Sequence, residues 1–313
     1  MDRDDFDRMT EPHRHELLVH CYRMLGSTHD AEDLVQETLL RAWRAAGTYD
    51  EQRASMRTWL YRIATNACLT ALKGKGRRAL PSGLVSVTED AHAPIELSTD
   101  VAWLQPFPTD PAAAMVAQGS LRLALIAAMQ YLPARQRAVL VLRDVLDWPV
   151  ADIADALETT SASVNSALQR ARAKLAEIGI TEDDVDEPDD QEIRAIVEDY
   201  VRAFEAADVS GLTRLLTDRV VLEMPPAPLW YVGPEAYGEF MARVYAMRGP
   251  AWRMLPTVAN DQPAVGAYVR GDDGRFHAHS LQVFTVAKAG ITHNVVFFDQ
   301  ELFEYFGLPL DLE

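Results

Sequence analysis

The sequence predicts a multi-domain chain in which two all-α domains, the second built on a helix-turn-helix, precede an α+β domain with an antiparallel sheet. Three observations predict it. The chain has 313 residues, and single cores stop growing at roughly 250–300 residues. Apolar residues recur at three- and four-residue spacing from His13 to Leu72 and again from Leu121 to Ile178. Beyond Glu192, two helical patterns give way to short β-rich runs, Val220–Met224, Phe276–Ala287 and Ile291–Asp299, with turn signals at Gly271–Gly274 and Ala289-Gly290.

Hydrophobic residues make up 48% and charged residues 25% of the chain, which excludes a wholly disordered or collagen-like protein. Met1–Arg8 is crowded with Asp and Arg, and no window of about 18 residues lacks a charge, so neither a signal peptide nor a membrane span is expected. A cytoplasmic location and no membrane partner follow. Cys21 and Cys68 are far apart in the sequence and belong to no Cys/His set at metal-ligand spacing, so buried free thiols are expected rather than a disulfide or a metal site.

The net charge of −17 hides an uneven distribution. Residues 1–80 carry 13 Lys and Arg against 12 Asp and Glu, and residues 118–180 carry 7 against 6. The acidity lies in 81–117 and beyond 181, so the two helical pieces can each present a cationic face.

These boundaries divide the chain into a helical domain at 10–80, an acidic flexible linker at 81–117, a helix-turn-helix domain at 118–180 and the α+β domain at 189–313. The linker has five prolines and no Lys or Arg, a composition that favours an extended segment. Glu182–Gln191 is an acidic run around Pro188 that marks the last boundary.

The helix-turn-helix reading rests on Val150–Leu157, the short break Glu158-Thr159-Thr160, and Ser161–Leu175. In the second helix Val164, Leu168, Ala171 and Leu175 form one apolar stripe, leaving Ser161, Ser163, Asn165, Arg170 and Arg172 on other faces. One stripe to dock, with Ser, Asn and Arg left to reach base edges and phosphates, is what DNA recognition by such a pair requires. An ordinary helical hairpin with a solvated face shares the pattern.

In the first domain Met56–Leu72 carries a wide apolar stripe that includes Trp59, Ile63 and Ala67, with Arg62, Thr65 and Asn66 opposite. It runs into Lys73, Lys75, Arg77 and Arg78. Four cations exceed what a helix C-terminus needs, and beside Asn and Thr they suit backbone phosphates and an unstacked base. Asp30–Trp43 begins with acids and turns Leu34, Leu39, Ala42 and Trp43 inward, leaving Asp33, Gln36, Glu37 and Arg41 outside.

Together, DAEDLVQETLLRAW, RTWLYRIATNACLTALKGKGRR, LPARQRAVLVLRDVLDWPVADIADAL and SASVNSALQRARAKL resemble bacterial sigma factors of the extracytoplasmic-function (ECF) group, in the order and separation of that family's regions 2 and 4. The resemblance covers about residues 10–178. It implies core RNA polymerase and promoter DNA as partners and a non-enzymatic role in transcription initiation. By the same resemblance Asp33, Gln36, Glu37 and Arg41 dock on the polymerase clamp. Arg62, Asn66, Lys73, Arg77 and Arg78 hold the downstream promoter element, with Trp59 in the core. Ser161, Ser163, Asn165, Arg170 and Arg172 read the upstream element, and the acidic linker threads the RNA-exit path.

The remainder, with EIRAIVEDYVRAFEAADVSGLTRLLTDRVVLEMPP and NVVFFDQELFEYFGLP, resembles SnoaL-like domains, α+β cones with a curved antiparallel sheet around a pocket. Glu223, Trp230, Tyr231, His277, His279, His293 and Asp299 are the candidate pocket residues. Alternation places His277 with His279 on one strand face and His293 with Asp299 on the next strand. No nucleophile–base–orienter set and no cofactor motif is legible, so no catalytic residue, metal or cofactor is assigned, and a modulating domain with a small-molecule ligand is expected. Two alternatives stay open: a SnoaL-like enzyme or ligand sensor fused to a transcription regulator, and a helix-turn-helix repressor acting without polymerase.

Overall fold

The computed structural model describes residues 2–109, 121–178 and 190–313. The chain forms two compact units: Met1–Arg78 with Gln105–Phe107 and Pro111–Thr181, and Ala79–Leu104 with Pro108–Asp110 and Glu182–Glu313. Among the described residues no helix is long and apolar enough to cross a membrane. The acidic run expected as the last boundary lies mostly outside the described residues.

The first unit opens with α1 (Arg3–Thr10), α2 (Arg14–Leu25), α3 (Thr28–Ala45) and α4 (Met56–Ala71). Gly26 ends α2 in the left-handed conformation, φ 68°, where a side chain is disfavoured. Ser27 and Ser55 then cap α3 and α4, their hydroxyls accepting from the Asp30 and Thr58 N–H groups. The buried stripe of α3 is Ala31, Val35, Thr38 and Ala42. Trp43, expected inside, is 39% exposed, because an eighteen-residue helix packed through small residues holds its bulky ones on the flanks. Cys21 and Cys68 are buried free thiols.

The unit continues with α5 (Leu123–Met129), α6 (Ala134–Leu140), a π-turn at Val141–Val145, α7 (Val150–Ala156) and α8 (Ser161–Ile178). Arg137 on α6 is buried. Its guanidinium donates to the Met24 carbonyl of α2, to Gln130 Oε1 at 2.7 Å, and to the Gln130 and Leu132 carbonyls at 3.2 Å. Burial pulls its pKa down to about 10, so it stays charged at neutral pH while tying the two helical groups together.

The second unit places α9 (Asp190–Glu205), α10 (Val209–Arg214) and α11 (Pro234–Arg248) against a seven-stranded sheet. Its strands are β1 (Leu216–Glu223), β2 (Trp230–Val232), β3 (Trp252–Ala259), β4 (Gln262–Arg270), β5 (Phe276–Ala287), β6 (Gly290–Phe297) and β7 (Asp311–Leu312). The order is β2-β1-β6-β5-β4-β3, with β7 on β5. The sheet is mixed, not antiparallel throughout as expected: β1 and β6 run parallel. Hairpin signals reveal only sequential pairs, whereas this pair closes through a long crossover.

Register shifts in the β1–β6, β4–β5 and β5–β6 pairs bend the sheet. Gly290, at φ 127°, allows the β5–β6 turn to pass Leu215, whose carbonyl oxygen would lie 2.5 Å from an added Cβ. Tyr200, Phe204, Tyr237, Phe240, Trp252 and Phe284 fill the core on the helical face. A short helix, α12 (Glu301–Tyr305), packs Phe303 against Tyr268 on the opposite face.

Linker residues 79–104 are not a free strand. Ala91 is 3% exposed and sits in the second unit's core, with Ala93 and Ile95 packed beside it. Arg243 of α11 donates to the Ala91 and Ala93 carbonyls at 2.9 and 2.7 Å, and Ser98 N–H donates to the Pro226 carbonyl at 2.9 Å. The flexible-linker expectation is corrected for this stretch. Its scattered Ala, Ile and Val residues bury little alone, but they find a partner surface in the folded unit.

Candidate nucleic-acid interface and C-terminal cavity

On α3, Asp33, Gln36 and Arg41 are exposed and Glu37 is half-buried. Glu37 and Arg41 pair at 2.7 Å one helical turn apart, and Leu40 and Trp43 lie exposed among them at 43% and 39%. This surface combines a short charge pair with uncovered apolar side chains, a composition suited to a protein partner.

Beside it, Arg41, Ala45, Trp59, Arg62, Ile63 and Asn66 line an open pocket of about 330 Å³. Trp59 is a half-buried wall of this pocket and stacks near Tyr49, ring centroids 5.0 Å apart, which corrects its expected place in the core. Thr65, expected outside, is buried and bonds His20 Nε2 at 2.9 Å. Arg62 and Asn66 are exposed, and the Asn66 amide donates to the Ala156 carbonyl of α7 at 3.3 Å.

The cations after α4 are held by different partners. Arg78 and Lys75 reach Asp30 at 2.8 and 3.6 Å. Burial alone would raise the Asp30 carboxyl, but these two cations outweigh it and hold it below its ordinary value. Arg77 lies over the Tyr131 ring at 3.9 Å, a cation–π contact, and Lys73 is exposed.

Helix α8 divides as its pattern predicts. Val164, Leu168 and Ala171 are buried, while Ser161, Ser163, Asn165, Arg170 and Arg172 are exposed. Glu158, at φ 50°, makes the turn that separates α7 from α8. Arg172 forms a two-pronged pair with Asp144 at 3.0 and 2.6 Å.

The seven candidate pocket residues do not line one pocket. Among them only His279 lines the C-terminal cavity, a space of about 30 Å³. Glu223, 1% exposed, accepts from His293 Nε2 at 2.9 Å, from Ser82 N–H at 2.8 Å and from Ser82 Oγ at 3.0 Å. Burial would raise its carboxyl, yet these donors outweigh burial and hold it below the usual range. The indole of Trp230 donates to the Val85 carbonyl at 3.0 Å, and the Tyr231 hydroxyl lies 3.5 Å from the Asp90 carbonyl. Glu223, Trp230 and Tyr231 therefore hold the linker, with His293 bonded to Glu223, instead of lining a pocket.

His277 bonds Asp311 at 2.6 Å and Asp273 at 3.0 Å at the sheet margin. Asp299 lies past the end of β6, where its carboxylate accepts from Glu301 N–H at the start of α12. The strand stops at Phe297, two residues before Asp299, so alternation does not pair it with His293. His279 is the residue without a partner at the β4–β5 register shift and sits between Trp252 and Phe298, ring centroids 5.0 and 5.6 Å away. Burial, then nearby Arg248, pulls its pKa down to about 4.

The polar end of the cavity was missed by sequence reasoning. Tyr200 and Tyr237 hydroxyls meet at 2.7 Å, Tyr200 donates to Gln282 Oε1 at 3.0 Å, and Asn294 Nδ2 donates to the Tyr237 hydroxyl at 2.7 Å. A signal existed: Gln282 and Asn294 interrupt apolar strand runs, where an amide must find partners.

Comparison with known proteins follows this division. Residues 9–78 match Sigma-70 region 2, 122–175 match Sigma-70 region 4, and 197–294 match the SnoaL-like domain. The ECF RNA polymerase sigma factor SigG of Mycobacterium tuberculosis is 45% identical over 98% of this chain and 85% of its own length. The probable ECF sigma factor SigI of the same organism is 26% identical over 82% of each chain. The crystal structure of M. tuberculosis SigJ aligns with a TM-score of 0.64 over 99% of this chain and 100% of its own, at 23% identity, a likeness of fold.

Two sigma regions followed by a SnoaL-like domain define a transcription initiation factor with a C-terminal extension. The chain belongs to the ECF group of RNA polymerase sigma factors. Sigma factors bind core RNA polymerase and promoter DNA and are not themselves enzymes.

Proposed function

We propose that this chain docks on core polymerase through the α3 face of Asp33, Gln36, Glu37 and Arg41, with Leu40 and Trp43 supplying the apolar contact. The α4 pocket receives a base of the downstream element, with Asn66 and Arg62 at its wall and Lys73, Arg77 and Arg78 on the phosphates. Helix α8 reads the upstream element through Ser161, Ser163, Asn165, Arg170 and Arg172. The observation that carries this reading is the division of α8, whose recognition residues are all exposed while its apolar stripe is buried.

Because Asn66 hydrogen-bonds Ala156, base capture requires region 4 to move off region 2, and polymerase binding supplies the energy. The C-terminal domain modulates activity by holding linker residues 80–98 and by receiving a small molecule in its cavity. The enzyme alternative gains no support from the scattered candidate residues.

Run-off transcription with purified core polymerase and the promoter upstream of this chain's own gene tests the reading. A discrete transcript that depends on the added chain is expected. Absence of both transcript and core binding, beside an active control sigma factor, would overturn it.

A further inference from the structure

We propose that Cys21 and Cys68 are a thiol pair that hydrogen peroxide oxidises to a disulfide, and that this bond lowers promoter opening by shifting α4. The second half rests on the reading of the α4 pocket as the site of base capture.

Helix packing brings the two sulfurs together. Both residues are fully buried and both are free thiols. Helices α2 and α4 lie side by side: the Tyr61 hydroxyl donates to Glu16 Oε2 at 3.2 Å, the His20 and Tyr61 rings are 5.0 Å apart, and His20 Nε2 lies 2.9 Å from the Thr65 hydroxyl. Cys21 follows His20 and Cys68 lies about one turn beyond Thr65, and there the two side chains are hydrogen-bonded to each other. They are the only cysteines of the chain. A sulfur oxidised at one position therefore has a single thiol within the protein to resolve it, and that thiol is already in contact.

Burial raises the Cys68 thiol well above its ordinary pKa, while the nearby Arg137 guanidinium pulls it down. The pair is slow to react while α2 and α4 stay closed and reacts as they part, and Cys68, the thiol beside the cation, attacks first. The Cys68 thiolate attacks one peroxide oxygen, the O–O bond breaks, and the other oxygen leaves as water, giving a sulfenic acid. The Cys21 sulfur then attacks the sulfenic sulfur, the S–O bond breaks, and the second oxygen leaves as water. Two thiols lose two hydrogens and two electrons, and one peroxide becomes two waters.

A disulfide holds its sulfurs closer than a hydrogen-bonded thiol pair does, and a close-packed core passes such a shift on instead of absorbing it. Arg62, Ile63 and Asn66, which wall the α4 pocket, precede Cys68 within two turns of the same helix. The bond that draws α4 towards α2 therefore displaces the pocket wall.

The full-length protein is treated with graded hydrogen peroxide, quenched with catalase, and divided between mass spectrometry and run-off transcription with core polymerase. The expected mass change is the loss of two hydrogens, with the Cys21 and Cys68 peptides joined. The transcript is expected to fall at least about fivefold, the low end of coupling between two sites in one protein. Dithiothreitol should restore it, since it reduces a disulfide and leaves methionine sulfoxide unchanged. Cys21→Ala and Cys68→Ala should transcribe equally well with and without peroxide. The mass reading on the unsubstituted chain requires neither variant to fold.

Absence of the joined peptide overturns the pair, whatever the transcript does. A fall in transcription that both alanine variants share, or that dithiothreitol does not reverse, overturns the effect on promoter opening, as does a joined peptide with unchanged transcription. Failure of the base-capture reading shows separately, as Asn66→Ala that opens the promoter normally, and leaves the joined peptide as the measure of the pair.

Discussion

Asn66 of α4 and Ala156 of α7 are 90 residues apart in sequence, yet the Asn66 side-chain amide donates to the Ala156 carbonyl at 3.3 Å. The contact joins region 2 to region 4 through the residue proposed to meet an unstacked base. Asn66→Ala is expected to lower promoter opening by the polymerase complex about tenfold, one hydrogen bond's worth, with upstream-element binding retained. Permanganate reactivity of the melted bases measures the first and footprinting the second. Equal losses in both would assign Asn66 a purely structural role.

Arg137 ties the two helical groups through four acceptors. Arg137→Met keeps the length and deletes donors to four buried acceptors, at Met24, Gln130 and Leu132. A loss of roughly 3 kcal/mol is expected, since hydrogen bonds to charged groups count for about 1.5–3 kcal/mol each and relaxation recovers part of the sum. Urea denaturation of the full chain followed by circular dichroism reads it, and a change under 1 kcal/mol would show that the carbonyls find other donors.

Arg170 and Arg172 are expected to differ. Arg170→Ala should reduce the salt dependence of promoter binding by about one unit for a lost phosphate contact. Arg172 must first leave Asp144, so Asp144→Ala should strengthen binding several-fold by freeing the guanidinium. Titration of upstream-element DNA with the polymerase complex at graded salt checks both, and weaker binding by Asp144→Ala would sink the second.

The linker clasp gives a local prediction. Glu223→Leu removes the acceptor for Ser82 and His293, while Ser82→Ala removes the hydroxyl donor and keeps the backbone one. Hydrogen exchange at Ser82 should accelerate strongly in the first variant and weakly in the second. Equal protection in both would mean that the packing of Ala91 and its neighbours alone holds the segment.

Acid sensitivity is expected from His279, whose folded pKa is about 4 against an ordinary 6.5. Between those values the unfolded chain takes up a proton that the folded chain does not, so stability falls as pH drops from 6.5 towards 4 and is full above 6.5. The contribution is about 3 kcal/mol. His279→Phe, which keeps a ring between Trp252 and Phe298, should flatten this part of the stability profile measured by denaturant titration. An unchanged slope would place the titration elsewhere.

The helical elements were legible because their information is local. Val164, Leu168 and Ala171 recur at helical spacing. The same reading misplaced Trp43 and Trp59, since a stripe identifies a face but not where the stripe ends. In the β region turn residues located the β4–β5 and β5–β6 hairpins but not the β3–β4 turn at Asn260-Asp261, and the parallel β1–β6 pair left no local trace.

The amino-acid order by itself determined the helical character of the first two pieces, the exposed polar face of α8 and the α+β character of the last domain, because periodicity and turn chemistry act within a few residues. Only the tertiary structure decided that Glu223, Trp230 and Tyr231 hold the linker while His293 bonds Glu223, that His279 alone among the candidates borders the cavity, and that Asn294 completes its polar end. Those outcomes depend on pairing between residues up to about 140 positions apart, and on a register shift that sets which way β5 presents its side chains. Hydrogen-bond partners so distant are chosen by how strands and helices pack, a choice that no short window of sequence contains.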